Sequence, residues 1–258
     1  MTATASSVLA PARAAALLTA LVGLAISSLA CPATAQTLGA SVGLLDGGQG
    51  EDGRYLAGIE VDLDPGWKTY WRMPGKGGLP PGFDWSASEN VAETRVLWPA
   101  PHRLEDAYGD SIGYDARVVF PVEVTPIDPE AEVRLAVTGL IGVCERVCVP
   151  LDIALDSTLD PDATPGRLTR FVEAVPRPAT EEERAAVTAT LSEGGETLAV
   201  EADLAVTDLF ATGETVANGL SERQGERYAI AMSRRHAPGD PVTLTVLTPD
   251  GAFDLPLE

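Results

Sequence analysis

Residues 54–66 read RYLAGIEVDLDPG, a β-prone run of ten residues closed by the turn sequence DPG. The same arrangement of a short strand and turn residues recurs along the chain. At Val133, Leu135 and Val137 apolar residues alternate with polar ones, as in a strand with one buried face. Further runs predicted as strands lie at 38–45, 67–71, 91–98, 116–124, 132–140 and 149–155. The number and spacing of these runs predict an all-β chain built around a β-sandwich.

The composition agrees with a globular β-protein. Of 258 residues, 45% are hydrophobic and 22% are charged, which is typical of a folded chain. Aromatic residues make up 5%, whereas Gly (25) and Pro (20) are frequent, which favours strands and turns over a helical bundle. The net charge is −20, so the surface repels phosphate backbones and anionic headgroups. We therefore predict no nucleic-acid partner.

Residues 1–35 are predicted to be a cleaved signal peptide. One arginine precedes an apolar run at 14–26, and small residues up to Ala35 form a cleavage site. The alternative is a lipoprotein anchored at Cys31, but Ser28 stands where such sites usually have leucine. Cleavage near Ala35 leaves two cysteines in an exported protein, where paired thiols meet disulfide chemistry.

The second half of the chain predicts a linker and a second module. Prolines punctuate residues 159–194, which we expect to be a Pro-rich, partly helical linker. Thr180 and Glu183 have the spacing of a capping box, so a helix is expected from there to about Leu191. Strand-like runs resume after the glycines at 194–195, and residues 195–258 are predicted to form a smaller β module.

The remaining cysteines lie in GLIGVCERVCVP, residues 139–150. If the three residues between them form a hairpin loop, Cys144 and Cys148 face each other at a separation that a disulfide accepts. A helix would instead place the thiols one turn apart, which the neighbouring valines weakly disfavour. Closing so small a ring stabilises a chain by only about 2 kcal/mol, less than a long loop gains. The pair is therefore either a minor staple or a redox centre, and the opposing charges of Glu145 and Arg146 do not decide between them.

At these residues the chain resembles the N-terminal periplasmic domain of the thiol:disulfide interchange protein DsbD, and more closely the ScsB-type N-terminal regions. The stretches that carry the resemblance are GWKTYWRMPGKGGLPPGFDW (66–85), SENVAETRVLWPAPHRL (88–104), YGDSIGYDARVVFPVEV (108–124) and GVCERVCVP (142–150). The resemblance implies an immunoglobulin-like β-sandwich over residues 36–158 that carries the cysteines on a hairpin. It also implies that Cys148 is the cysteine that partner proteins engage and that Cys144 resolves the mixed disulfide.

The resemblance further implies a cap loop that shields the cysteine pair. Glu105, Asp106, Ala107, Tyr108 and Gly109 match that loop in place. The alanine stands where the family has a shielding phenylalanine, so we expect either a substitute in the adjacent tyrosine or a more open site.

The partners implied by the resemblance are a thioredoxin-like redox domain that supplies electrons, a membrane electron conduit, and oxidised periplasmic proteins that receive the electrons. We expect the first two on separate chains, because residues up to Glu258 contain neither. The activity implied is that of a protein-disulfide reductase or thiol–disulfide interchange protein in the periplasm. It requires no cofactor beyond the Cys144–Cys148 disulfide.

Two other functions remain open. The first is a non-catalytic immunoglobulin-like interaction module with a structural hairpin disulfide. The second is Cu(I) binding in copper tolerance, because two thiolates suit Cu(I) and the Cys-x3-Cys-Pro motif resembles the copper site of Sco-type metallochaperones. His102 and His236, the only histidines, are predicted to be surface residues rather than metal ligands. No P-loop, dinucleotide-binding or nucleophile-elbow motif is present, which disfavours nucleotide enzymes and hydrolases.

Overall fold

The computed structural model describes residues 2, 34–37, 39–105, 109–233 and 240–257. Contacts group residues 32–258 into one compact unit. Nearly all of its regular structure is β-strand, which confirms the predicted all-β class. Among the residues described, no helix is long and apolar enough to cross a membrane.

The strands of the first half of the chain are β1 (Thr34–Thr37), β2 (Ala40–Gln49), β3 (Tyr55–Leu63), β4 (Lys68–Gly75), β5 (Gly82–Asp84), β6 (Val91–Val96), β7 (His102–Leu104), β8 (Ser111–Tyr114), β9 (Val118–Pro126), β10 (Arg134–Cys144) and β11 (Cys148–Thr158). A 3-10 turn (Gly166–Leu168) and two short helices, α1 (Thr169–Glu173) and α2 (Glu181–Ala186), follow. The strands of the second half are β12 (Arg177–Pro178), β13 (Val187–Leu191), β14 (Thr197–Ala202), β15 (Asp208–Thr212), β16 (Val216–Gln224), β17 (Arg227–Met232), β18 (Val242–Thr248) and β19 (Gly251–Leu257).

The first eleven strands form an immunoglobulin-like sandwich of two sheets. One sheet has the order β1-β2-β3-β9-β6, and the other has the order β11-β10-β4-β8-β7 with β5 paired to β10. The alternating apolar residues of both sheets meet in one core, where Ile59 and Phe120 of the first sheet and Trp71 and Ile141 of the second are fully buried. This core fixes which face of β10 and β4 turns inward.

The second half forms one eight-stranded sheet with the order β12-β19-β18-β15-β16-β17-β14-β13. It has its own core, which includes Leu209 and Ile230. The neighbouring Phe210 instead belongs to the core of the sandwich, and its ring centroid lies 6.2 Å from that of Trp71. The two halves therefore pack against each other through shared apolar side chains.

Helix α2 starts where the capping box predicts and ends earlier than expected. The Thr180 hydroxyl accepts a hydrogen bond from the Glu183 backbone N–H at 3.2 Å, and the Thr180 N–H donates to the Glu183 carboxylate at 2.8 Å. The prediction that the helix continues to Leu191 was wrong, because Val187–Leu191 form strand β13 along β14. Three of the five residues of this segment are β-branched, which suits a strand better than a helix once a partner strand is available.

Most of the predicted signal peptide lies outside the described residues. Its predicted cleavage position falls within β1, where Ala35 and Gln36 are paired with Val42 and Ser41 of β2. Cleavage at that position would leave the second half of β1 attached to the sandwich.

Candidate functional site

The cysteine pair lies at the turn end, or tip, of the longest hairpin of the sandwich. Strands β10 and β11 are paired in unbroken register from Arg134↔Thr158 to Cys144↔Cys148. Residues 145–147 connect the two strands. The structure joins Cys144 and Cys148 in a disulfide with their Cα atoms 4.1 Å apart. Because the two residues are direct cross-strand partners, the bond needs no departure from the hairpin.

The two sulfurs of this bond differ in their access to solvent. Cys144 is 2% exposed and ends β10 on the face opposite the core residues Ile141 and Val143, whereas Cys148 is exposed at the start of β11. A thiolate attacks a disulfide in line with the S–S bond, so the attacked sulfur must be the accessible one. Of the two sulfurs, that of Cys148 is therefore the one that a thiol from outside can reach.

A buried tyrosine contacts both sulfurs. Tyr70 of β4 is 1% exposed, and its hydroxyl donates a hydrogen bond to Cys144 Sγ at 2.7 Å. The same oxygen lies 3.2 Å from Cys148 Sγ. A hydroxyl at this place can donate to whichever sulfur becomes a thiolate, and such charge-assisted hydrogen bonds are stronger than neutral ones. The sequence analysis did not single out Tyr70, although it lies in one of the stretches that carry the family resemblance.

The register between β4 and β10 sets the position of this tyrosine. Lys68 pairs with Cys144 and Thr69 pairs with Val143, which brings the next residue of β4 beside the sulfurs. The Thr69 hydroxyl donates to the Gly142 carbonyl at 2.9 Å inside the buried interface. This side-chain bond reinforces the short stretch in which the two strands meet.

Two glycines allow the chain to close around the Tyr70 ring. A Cβ atom at Gly142 would lie 2.8 Å from Leu79 Cβ and 3.2 Å from Tyr70 Cδ2. A Cβ atom at Gly78 would lie 2.6 Å from Tyr70 Cδ1. A side chain at either position would displace the Tyr70 ring or the loop that covers the ring. The Tyr70 hydroxyl therefore stays near the sulfurs because both positions are glycine.

A pocket of about 150 Å³ opens beside the disulfide. Its lining consists of Lys68, Tyr70, Gly77, Gly109, Ser111, Cys144, Glu145, Arg146 and Cys148. The side chain of Arg146 is 88% exposed, and its Nε lies 3.7 Å from a carboxylate oxygen of Glu145. An ion pair this exposed contributes little to stability, so both side chains can rearrange when another molecule approaches.

The predicted cap loop is described only at its ends. Glu105 is exposed, and Gly109 lines the pocket beside the disulfide. Asp106, Ala107 and Tyr108 lie outside the described residues, so their predicted place over the cysteines stays a prediction.

The residues considered for copper do not assemble into a site in the described part of the chain. The Nε2 atom of His102 lies 3.0 Å from an Asp115 carboxylate oxygen on the surface. His236 lies outside the described residues. In the ranges that the structure describes, no group of three or more His, Cys, Asp and Glu side chains is arranged to hold a metal ion.

Comparisons with known proteins place this geometry in a family context. Residues 49–159 match the family model described as "Thiol:disulfide interchange protein DsbD, N-terminal". Among solved structures, the N-terminal periplasmic domain of ScsB from Proteus mirabilis is similar, with 21% identity and a TM-score of 0.66 over 87% of this chain and 96% of that chain. A marsupial T cell receptor aligns over 87% of this chain and 98% of that chain with 9% identity. Its TM-score of 0.18 is too low to indicate a shared fold. A comparison with the curated proteins gave no match.

These matches confirm the resemblance that the sequence motifs indicated. The family match includes both cysteines and Tyr70, and it supports a thiol–disulfide interchange domain over residues 49–159. The ScsB structure is similar over the second half of the chain as well, and at its level of identity it shows the fold alone.

Proposed function

We propose that this chain is a periplasmic thiol–disulfide interchange protein. Electrons arrive from a thioredoxin-like partner that a membrane conduit supplies, and they pass to oxidised exported proteins. Cys148 forms the mixed disulfide with both kinds of partner, and Cys144 resolves it. The observation that carries the proposal is the asymmetry of the disulfide, in which Cys148 is exposed while Cys144 is buried and hydrogen-bonded to Tyr70.

The reaction is two successive disulfide exchanges. A partner thiolate attacks Cys148 Sγ, the Cys144–Cys148 bond breaks, and Cys144 leaves as a thiolate that accepts a hydrogen bond from Tyr70. The partner's second thiolate then displaces Cys148, so the partner becomes a disulfide and this chain becomes a dithiol. In the onward step the Cys148 thiolate attacks the disulfide of an oxidised protein. Cys144 then attacks Cys148 Sγ and releases the reduced protein, which restores the starting disulfide.

The hairpin itself argues against a purely structural role for this bond. The β10–β11 ladder already pairs eleven residues on each strand, and β4 and β5 bind β10 from its other side. The disulfide closes a ring of five residues at the end of this ladder, which restricts the unfolded chain by only about 2 kcal/mol. A structural disulfide at this position adds little to the stability of the hairpin. A reactive disulfide at the end of a well-paired ladder is held in position for a partner.

The loop at 105–109 belongs to the proposal as a cap over the pair. Support for this role comes from the family resemblance and from Gly109, which lines the pocket beside the sulfurs. A cap here would restrict attack on the disulfide to partners that displace it.

A trapping experiment tests the proposal. The partner is a thioredoxin-like protein whose second cysteine is replaced by serine and whose remaining cysteine is activated as a mixed disulfide with 2-nitro-5-thiobenzoate. The Cys148 thiolate of Cys144→Ser attacks that cysteine, expels 2-nitro-5-thiobenzoate and forms a mixed disulfide that neither protein can resolve. We expect this adduct on non-reducing gels, with mass spectrometry locating the bond at Cys148. Cys148→Ser is the matched control, because its remaining thiol, that of Cys144, is buried. This variant should form at most a trace of the mixed disulfide. Equal adducts from both variants, or none from either, would contradict the proposed roles.

A further inference from the structure

Large hydrophobic side chains are exposed at two positions in the described part of the chain, Ile127 at 71% and Val147 at 74%. Single exposed hydrophobic residues are common on protein surfaces and need no explanation by themselves. The position of Val147 is what distinguishes it. It is the last residue of the connection between β10 and β11, and Cys148, the exposed half of the disulfide, follows it directly.

Hairpin connections are normally made of glycine, asparagine, aspartate and serine, which favour the turn and bind water. Here the connection is Glu145, Arg146 and Val147. The charges of the first two residues oppose each other, so the tip carries no net charge on a chain whose total is −20. The tip therefore presents an apolar side chain beside the sulfur without the general negative charge that repels acidic surfaces.

Because the inner sulfur is buried, an attacking group must come to the tip of the hairpin. Consecutive Cα atoms are about 3.8 Å apart, so a protein surface that reaches Cys148 also reaches Val147. A small thiol such as dithiothreitol reaches the sulfur with too little surface to cover the neighbouring side chain. The two classes of reductant therefore differ in whether they bury the valine.

We propose that Val147 is a docking residue, and that the redox partner carries an apolar recess beside its own reactive cysteine. This inference rests on the proposed function, and it adds the feature by which protein partners are preferred over small thiols. Full burial of a valine side chain corresponds to roughly a tenfold or larger gain in affinity for the encounter complex. Arg146 at the rim is the kind of side chain that often contributes to such contacts.

The test compares two reductants on the full chain. Reduced thioredoxin is the protein probe and dithiothreitol is the small probe, and both convert the Cys144–Cys148 disulfide to two thiols while their own dithiol becomes a disulfide. For Val147→Ser we expect the second-order rate with thioredoxin to fall about tenfold and the rate with dithiothreitol to change less than twofold. Val147→Leu should keep both rates. Ile127→Ser, which removes an equally exposed side chain after β9, should also keep both rates.

The outcomes separate the inference from the function that it deepens. If Val147→Ser reacts with thioredoxin as fast as the wild type, the docking role is wrong while disulfide exchange stands. If the variant slows both reductants equally, the change acts on the disulfide itself and the docking role is also wrong. If the wild-type chain reacts with thioredoxin no faster than with dithiothreitol, the proposed function itself fails.

Discussion

The hydroxyl of Tyr70 lies within hydrogen-bond distance of both sulfurs, at 2.7 Å from Cys144 and 3.2 Å from Cys148. Removing it in Tyr70→Phe keeps the buried ring but takes away the donor that stabilises a thiolate. Hydrogen bonds to charged groups contribute about 1.5–3 kcal/mol, so we expect exchange with thioredoxin to slow by about tenfold or more. In the reduced protein, the midpoint of the pH profile for alkylation should move to higher pH.

Tyr114 provides the matched control for this prediction. It is a buried tyrosine on β8 of the same sheet, and its hydroxyl donates to the Pro99 carbonyl at 2.8 Å. Tyr114→Phe should lose about 1 kcal/mol of stability and keep the wild-type alkylation profile. If both variants shift the profile alike, the effect is one of general loosening and Tyr70 has no specific role at the sulfurs.

The sequence predicted the facing cysteines but did not indicate this tyrosine. The three-residue spacing and the flanking β-prone runs are local signals, and they favour a hairpin with Cys144 opposite Cys148 over a helix. Tyr70 is 74 residues away from Cys144 along the chain, and only the register of β4 against β10 brings the two together. Local patterns do not specify that register, so the third participant in the site became visible only in the structure.

At the scale of elements, β10 needs a glycine where it passes Tyr70 and Leu79. Gly142→Ala places a methyl group 2.8 Å from Leu79 Cβ, so we expect a loss of about 1–3 kcal/mol in chemical denaturation. It should also slow exchange by displacing the tyrosine ring. Gly82→Ala is the control, since a Cβ there meets nothing within 4 Å although β5 pairs with the same strand. Equal losses in both variants would show that close packing at Gly142 is not the cause.

Helix α2 carries a prediction about pH. The Arg177 guanidinium bound to both carboxylate oxygens, at 2.6 and 2.7 Å, together with the Thr180 N–H, lowers the pKa of Glu183 to about 2. The stability that this carboxylate contributes is therefore fully present above the ordinary glutamate range and is lost as the pH falls toward 2. Such a surface ion pair contributes up to about 1 kcal/mol.

The variant Glu183→Gln isolates that contribution, because glutamine can still bond to the Thr180 N–H. Thermal melts should show the wild type more stable than the variant at pH 7, with the difference disappearing near pH 2. A difference that stays constant from pH 7 to pH 2 would mean that the charge of Glu183 does not matter.

The end of helix α2 could not be predicted from the local sequence pattern alone. The capping box predicted the start of α2 correctly, because Thr180 and Glu183 satisfy each other within one turn. The end at Ala186 depends on β14, which pairs with residues 187–191 in the folded chain. A partner strand supplies hydrogen bonds that a sequence window cannot contain, and they override the helical continuation.

At the scale of the whole molecule, the two halves share a core. Phe210 of β15 is fully buried in the core of the sandwich, and Arg103 of β7 binds both carboxylate oxygens of Asp208 at 2.9 and 3.1 Å. We therefore expect one cooperative thermal transition for the chain. Phe210→Ala should lower that transition as a whole, with a loss of about 3–5 kcal/mol.

Calorimetry checks this expectation. Two separate transitions, of which Phe210→Ala lowers only one, would show that the halves unfold independently. The boundaries predicted from sequence, at 36–158, 159–194 and 195–258, stay a prediction. Composition and prolines suggested them, whereas the sharing of a core depends on single side chains such as Phe210 that carry no local signal.

The reduction potential of the Cys144–Cys148 disulfide decides whether the bond is a redox centre or a structural staple. The fraction of reduced protein can be measured by thiol alkylation and mass spectrometry after equilibration in glutathione buffers of known ratio. For a redox centre we expect reversible reduction with a potential above about −300 mV, within reach of a thioredoxin-like donor. A bond that stays oxidised in every glutathione buffer, with a potential below about −300 mV, would contradict a redox role and leave a structural staple.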